Sequence, residues 1–298
     1  MKIAFLGDLH GRVFHALALV TTWQEKHGKK LDMVIQVGDL GGHSLQVMIK
    51  DERTFLRYAA EDSTEFDFVR LLRADGQLAD SLHFIRKQLC GSIYFVRGNH
   101  EDGGWLREKS QEGKLDTVAV DQFDLFHYVK DGTILECDGV KLAIFGGVGS
   151  VLPGEERDVE HDLAAYERLL KMGAGAFDIL VAHDTPYGTG IGYYGQVFGS
   201  QQVSKLMEVV QPHYLVAGHA HQMRGPNNYG KTVYIGLSII IKARRFDPHR
   251  RVQPGSMAVY DTETRTLEFV MDEWLADFHG DMDFVAFVEE FSSHTSAS

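Results

Sequence analysis

The stretch Met1-Lys2-Ile3-Ala4-Phe5-Leu6-Gly7-Asp8-Leu9-His10-Gly11 sets the frame for the whole chain. A short apolar run, Ile3 to Leu6, ends abruptly in a glycine and a carboxylate. A run this short without alternation reads as a strand buried on both faces. The same pattern recurs at Met33–Val37 before Gly38-Asp39 and at Ile93–Val96 before Gly98-Asn99-His100-Glu101. It appears again at Leu142–Phe145, at Ile179–Ala182 before His183, and at Tyr214–Ala217 before Gly218-His219-Ala220-His221. Between the first two runs, Val13–His27 places Val13, Leu17, Val20 and Gln24 on one helical face, with Gly28 as its stop. Ser200 opens a second helix, with Val203, Leu206, Met207 and Val210 at helical spacing and Pro212 ending it. Strands alternating with helices predict a layered α/β fold.

The chain has 298 residues, is 44% hydrophobic and carries mixed charge, which excludes a disordered or fibrous protein. Residues 1–285 read as one domain, with 40–89 as a helical insertion patterned at Phe55–Ala60 and Phe66–Leu72. Past His221, Thr232–Ile241, Ser256–Asp261 and Thr266–Met271 read as strands, with Asp261–Arg265 as a hairpin turn. The tail, 286–298, is expected to be disordered. No apolar run is long enough for a secretory leader or a membrane span, so the expectation is a soluble, cytoplasmic protein. Cys90 and Cys137 fit neither a disulfide framework nor a thiolate metal cluster and read as free thiols in a reducing compartment. The formal charge of −12 gives no general attraction to nucleic acid or anionic lipid, so an anionic substrate must be drawn by a local positive site. Neither a membrane nor a protein partner is implied.

The 15 histidines direct attention to metals. In open α/β sheets ligands bind beyond the carboxyl ends of the strands. Convergence there brings Asp8, His10, Asp39, Asn99, His100, His183, His219 and His221 to one crevice. Residues i and i+2 of an extended chain point to the same side, so Asp8 with His10, and His219 with His221, can face one crevice. Carboxylate and imidazole without thiolate suit two divalent ions of the Mn, Fe or Zn kind. An aspartate oxygen can bridge such a pair. Gly-His-x-His alone is a weak signal and Gly-Asn-His a rarer one; the ordered set, each at a strand end, is the strong one.

The order Asp-x-His, Gly-Asp, Gly-Asn-His-Glu, His, Gly-His-x-His over residues 8–221 resembles the calcineurin-like metallophosphoesterase superfamily. The resemblance implies a four-layer αββα sandwich with two central mixed sheets. It implies that Asp8, His10, Asp39 and His221 hold one metal, that Asp39 bridges, and that Asn99, His183 and His219 complete a second site. His100 would face the substrate phosphate. The serine/threonine phosphatase branch continues Gly-Asp with Asp-Arg, whereas Asp39 is followed by Leu40-Gly41-Gly42-His43, which sets this chain apart from it. The insertion before Gly98, and Phe198-Gly199-Ser200 leading into a helix, are loosely similar to lariat-debranching enzymes and related phosphodiesterases. Some of those relatives lack the first aspartate; here Asp8 is present.

The expected activity is that of a metal-dependent phosphoric ester hydrolase. A hydroxide held between the ions would attack a phosphodiester in line, with His100 as acid for the departing oxygen. A nucleotide or nucleic-acid diester is the first expectation, with His43, Tyr193 and Tyr194 as substrate contacts. The alternatives are a phosphomonoesterase with the same centre and a non-catalytic metal-binding module. The orientation of Arg97 is left open. The cluster Lys242, Arg244, Arg245, Arg250 and Arg251 reads as a solvated face, and the remaining histidines as surface or satisfied groups.

Overall fold

The computed structural model describes residues 1–42, 63–149, 159–191 and 195–295. In chain order the elements begin β1 (Lys2–Leu6), α1 (Val13–His27), β2 (Met33–Gln36), α2 (Asp67–Leu72), α3 (Gly76–Gln88) and β3 (Ile93–Phe95). Next come α4 (Gly103–Lys109), β4 (Thr117–Ala119), β5 (Phe126–Val129), β6 (Ile134–Cys137) and β7 (Val140–Phe145). Then follow α5 (Leu163–Met172), β8 (Ile179–Ala182), β9 (Gly190–Ile191), β10 (Val197–Phe198) and α6 (Gln201–Val210). The last are β11 (Tyr214–Ala217), β12 (Arg224–Tyr229), β13 (Thr232–Gly236), β14 (Met257–Asp261), β15 (Thr266–Phe269) and α7 (Phe284–Thr295).

Two mixed sheets form the centre: a seven-stranded one in the order β15-β14-β1-β2-β3-β5-β4 and a six-stranded one in the order β12-β13-β11-β8-β7-β6. The strands that lead to the site run parallel within each sheet, β1 with β2 and β3, and β8 with β11. The period of two along a strand decides the layering. Ile3 and Phe5 join Leu142, Ile144, Ile179, Val181 and Val216 in the core between the sheets. Ala4 and Leu6 face the other way, into a core built with α1, α2, α3 and α7. On the far side, Ala143, Phe145, Leu180, Ala182, Leu215 and Ala217 pack with α5 and α6. Covering on both faces explains why these strands read as unbroken apolar runs, and the result is the four-layer αββα sandwich expected.

Several sequence expectations meet the structure with informative differences. Helix α1 is buried on nearly every side through Gln24, because the sheet lies beneath it and α2 and α7 lie over it. Helix α6 is capped as expected, with Ser200 Oγ accepting from Val203 N at 3.1 Å. The pattern at Phe66–Leu72 is helix α2, whereas Phe55–Ala60 lies outside the described residues. Helix α3, whose Leu82 and Ile85 are buried, is part of the crossover between parallel β2 and β3. The expected strand Thr232–Ile241 stops at Gly236, and the chain beyond it turns toward the crevice.

The tail expected to be disordered from 286 is helical to Thr295. Its aromatic residues, spaced three and four apart, supply an apolar face. Phe284 stacks on Phe14 with ring centroids 4.7 Å apart, and Phe291 meets Phe84 at 6.4 Å. Among the described residues no helix is long and apolar enough to cross a membrane.

Candidate metal centre

Every candidate ligand lies just past the carboxyl end of a strand. Asp8 and His10 follow β1, Asp39 follows β2, and Asn99 and His100 follow β3 in one sheet. His183 follows β8, and His219 and His221 follow β11, in the other. The two sheets therefore each bring part of a single cluster. Backbone bonds carry the register beyond the strands: Leu9 N and His10 N both donate to Asp39 O, at 3.0 and 2.8 Å, and Gly218 N donates to His183 O at 3.1 Å.

The reason that Asp8 and His10, and His219 and His221, share a crevice is not the extended chain expected. His10, Asp39, His219 and His221 have φ of 46°, 56°, 62° and 55°. These left-handed residues turn the chain sharply at the strand ends, a conformation that Asp and His adopt more readily than most non-glycine residues. Two neighbouring glycines are required by crowding. A Cβ on Gly98 would run into Asp39 Oδ1, and one on Gly218 into Asp8 Oδ1.

Two donor groups result, each with its ligand atoms within 4.8 Å of one another: Asp8, His10, Asp39 and His221, and Asp39, His183 and His219. Asp39 belongs to both. Its Oδ2 lies 3.6 Å from His10 Nε2 and its Oδ1 lies 3.3 Å from His183 Nε2. His221 Nε2 is 3.1 Å from Asp8 Oδ2 and 3.0 Å from His10 Nε2. Asn99 Oδ1 comes within 3.0 Å of His183 Nε2. Two imidazole lone pairs, or a lone pair and an amide oxygen, repel at such distances unless a proton or a cation lies between them. The residues thus fit a pair of cations bound by oxygen and imidazole nitrogen.

The carboxylates are held in place by backbone donors. Asp39 Oδ1 accepts from Asn99 N and His100 N, both at 2.9 Å, and Asp8 accepts from His219 N at 3.1 Å. Burial alone would raise Asp39, but His183, His100 and His10 hold its carboxyl far below the usual range, so it is anionic. Burial keeps the His10 imidazole well below its ordinary value against the opposing Asp39, with His100 and His221 adding to the fall. Burial and the neighbouring His183 also lower His219. Both rings therefore offer lone pairs at neutral pH. For His183, burial is outweighed by Asp39, Asp8 and Glu101, which raise it; for His221, Asp8 does the same by hydrogen bond and charge. Such a field favours a bound cation.

His100 is exposed at the mouth, its ring edge-on to His10 with centroids 4.8 Å apart. It belongs to neither donor group among the described residues. His43, Tyr193 and Tyr194, expected as substrate contacts, lie outside the described residues. Arg97 is turned away from the crevice: its guanidinium bonds Asp131 Oδ2 and Glu160 O, each at 2.8 Å. Arg250 is buried against Thr64 Oγ1 at 3.1 Å, so the basic cluster is not wholly a solvated face. His161 is satisfied, bonding Gly146 O and Ser200 Oγ at 2.7 Å each.

Two features escaped the sequence. Glu101 is buried and accepts from Gly98 N and Gly41 N at 2.5 and 3.3 Å, tying the loops after β2 and β3 together. Burial, and then the charge of Asp39, push it to about 8. Its place directly after Asn99-His100 was the available signal. The second is a cavity of mixed lining beside His10, His219 and His221, to which Phe198 and Phe246 contribute from distant segments.

The fold places a candidate site for two metal ions, sharing Asp39, where the two sheets meet. The chain belongs to the calcineurin-like phosphoesterase family, whose profile matches residues 1–223. It is 24% identical over 261 residues to a lariat debranching enzyme of Drosophila melanogaster, covering 74% of this chain and 43% of that protein. To a lariat debranching enzyme of Drosophila pseudoobscura pseudoobscura it is 23% identical over 264 residues, covering 74% and 42%. The chain thus spans less than half the length of these relatives. A solved crystal structure superposes with a TM-score of 0.53 at 14% identity, over 91% of this chain and 98% of the other, which is a likeness of fold alone.

Proposed function

We propose that the protein is a phosphodiesterase with a dinuclear metal centre, acting on a nucleotide or nucleic-acid diester. The observation that carries the centre is Asp39, whose two oxygens serve two separate donor groups. Asp8, His10, Asp39 and His221 hold one ion of the Mn, Fe or Zn kind, and Asp39, Asn99, His183 and His219 the other. When bound, a pair of divalent ions lowers the pKa of water and neutralises phosphoryl oxygens. The chain supplies the rest. Asp39 and Asp8, fixed by backbone N–H groups, set the spacing of the pair. His100, at the open side of the cluster, protonates or hydrogen-bonds the departing ester oxygen.

The choice of diester is supported by what surrounds the cluster. A phosphomonoester dianion needs more cationic grip than a diester monoanion, and Arg97, the arginine next to the Gly98-Asn99-His100 turn, is committed to Asp131. The likeness to lariat debranching enzymes favours a nucleic-acid ester. Residues 1–285 together with α7 act as one domain, and the free thiols Cys90 and Cys137 favour a reducing compartment such as the cytoplasm. The test is kcat/KM on bis(4-nitrophenyl) phosphate against 4-nitrophenyl phosphate with each candidate metal. A clear preference for the monoester overturns the diesterase reading in favour of a phosphatase, and no turnover of either favours a binding module.

A further inference from the structure

We propose that Phe198 is a specificity residue: its ring is the platform for a flat aromatic group of the substrate, a nucleobase, while the phosphate lies at the metal centre. The inference rests on the phosphodiesterase reading and narrows its substrate class to nucleoside esters.

A cavity of about 590 Å³ opens directly beside His10, His219 and His221, within the range of small-molecule sites. Buried Ile239 and Ile241 line it, while Ile191 and Phe246, each 47% exposed, also contribute to its wall. These apolar side chains offer a ligand at the cluster surface to pack against. Arg12, Glu65 and Lys242 line the same space; Arg12 pairs with Glu65 at 3.2 Å, and Lys242 adds positive charge in a chain whose formal charge is −12.

Phe198 is the one aromatic residue of that lining in ring contact with a candidate metal ligand, among the described residues. Its ring is edge-on to His219, with centroids 5.1 Å apart at 81°. Phe198, on β10, pairs with Gly190 on the antiparallel strand β9. A Cβ at Gly190 would lie 2.5 Å from the phenyl ring. The ring therefore lies against bare backbone, and the glycine is needed for it to do so. A partly buried phenyl fixed between a glycine and a candidate ligand histidine is a rigid stacking surface. Stacking on it is tolerant of base identity, because every base has a π-face. Apolar walls, an aromatic ring and an ammonium beside a phosphate site match a nucleotide rather than a sugar phosphate.

The test compares wild type with Phe198→Ala, Phe198→Leu and Gly190→Ala, the last moving the ring without removing it. Metal content is measured first and is expected to be unchanged. Two readouts follow. One is kcat/KM on thymidine 5′-(4-nitrophenyl phosphate) and methyl 4-nitrophenyl phosphate, which share a leaving group. The other is calorimetric affinity for adenosine 5′-monophosphate and ribose 5-phosphate. Phe198→Ala and Gly190→Ala are expected to lose about 10-fold on the nucleoside member of each pair and to stay within about twofold on the other. Phe198→Leu should fall between. Equal losses on both members, or no loss on either, overturn the proposal. Failure of the two readings is distinguishable. Absence of turnover, with adenosine monophosphate binding still dependent on Phe198, defeats the diesterase reading and leaves the platform standing. Turnover with no dependence on Phe198 does the reverse.

Discussion

His183 Nδ1 lies 3.0 Å from the carbonyl oxygen of Val37, tying the first residue past β8 in one sheet to the first residue past β2 in the other. With Nδ1 donating, the neutral ring presents Nε2 as a lone pair toward Asp39 and Asn99. One bond thus fixes both the tautomer and the aim of a ligand. His183→Ala should empty one of the two sites and leave the other filled by Asp8, His10, Asp39 and His221. Metal analysis of the purified variant, expected to give one ion per chain, checks this; two ions would refute the assignment.

Asp39→Asn should behave differently, because its carboxylate belongs to both donor groups. Both ions and activity should be lost together. Retention of two ions per chain in that variant would remove the bridge.

His100→Ala should keep metal content and fold, since the ring is exposed and outside both donor groups. The rate on an ester with an alkoxide leaving group should fall by about 10²–10⁴ if the ring is the acid. The loss should shrink with a nitrophenolate leaving group, which needs no proton. Equal losses with the two leaving groups would exclude the acid role.

Arg97 and Asp131 are an ion pair with side chains only 10% and 4% exposed. Arg97→Ala leaves Asp131 buried without that partner and should cost about 3–5 kcal/mol in urea unfolding. Below the unfolding range, kcat/KM should change little. A large loss of kcat/KM with unchanged stability would instead make Arg97 a substrate contact.

Phe284 is 3% exposed and stacks on Phe14 of α1. Phe284→Ala should destabilise the protein by about 3 kcal/mol, as deletion of a buried aromatic ring does. A change below the error of a urea titration would mean that α7 is not part of the cooperative fold.

The strands that carry the site were legible because burial on both faces writes them as short apolar runs ended by glycine or a polar ligand. The clustering of the candidate ligands was legible because those ends converge, so Asp8, Asp39 and His183 needed no side-chain detail to be brought together. What was not legible depends on tertiary partners. Helix α7 looks like a polar tail near Ser292 and Ser293, and only Phe14 and Phe84 reveal what Phe284 and Phe291 cover. The left-handed turns at His10 and His221 leave no mark in periodicity, so an extended chain was the wrong reason for a correct convergence. Phe198 and Phe246 stand 48 positions apart and meet one cavity only through the fold.

The division of donors between the two sheets has a consequence for how the protein is made. A chain emerging from the ribosome as far as residue 182 carries Asp8, His10, Asp39 and Asn99 but no imidazole from the second sheet. Neither donor group can close until His219 and His221 have been synthesised and β11 has docked. On the two-metal reading proposed above, ion loading would be a late event in biogenesis. Its appearance in a pulse-labelled, truncated or stalled chain would time the moment at which the second sheet takes its place.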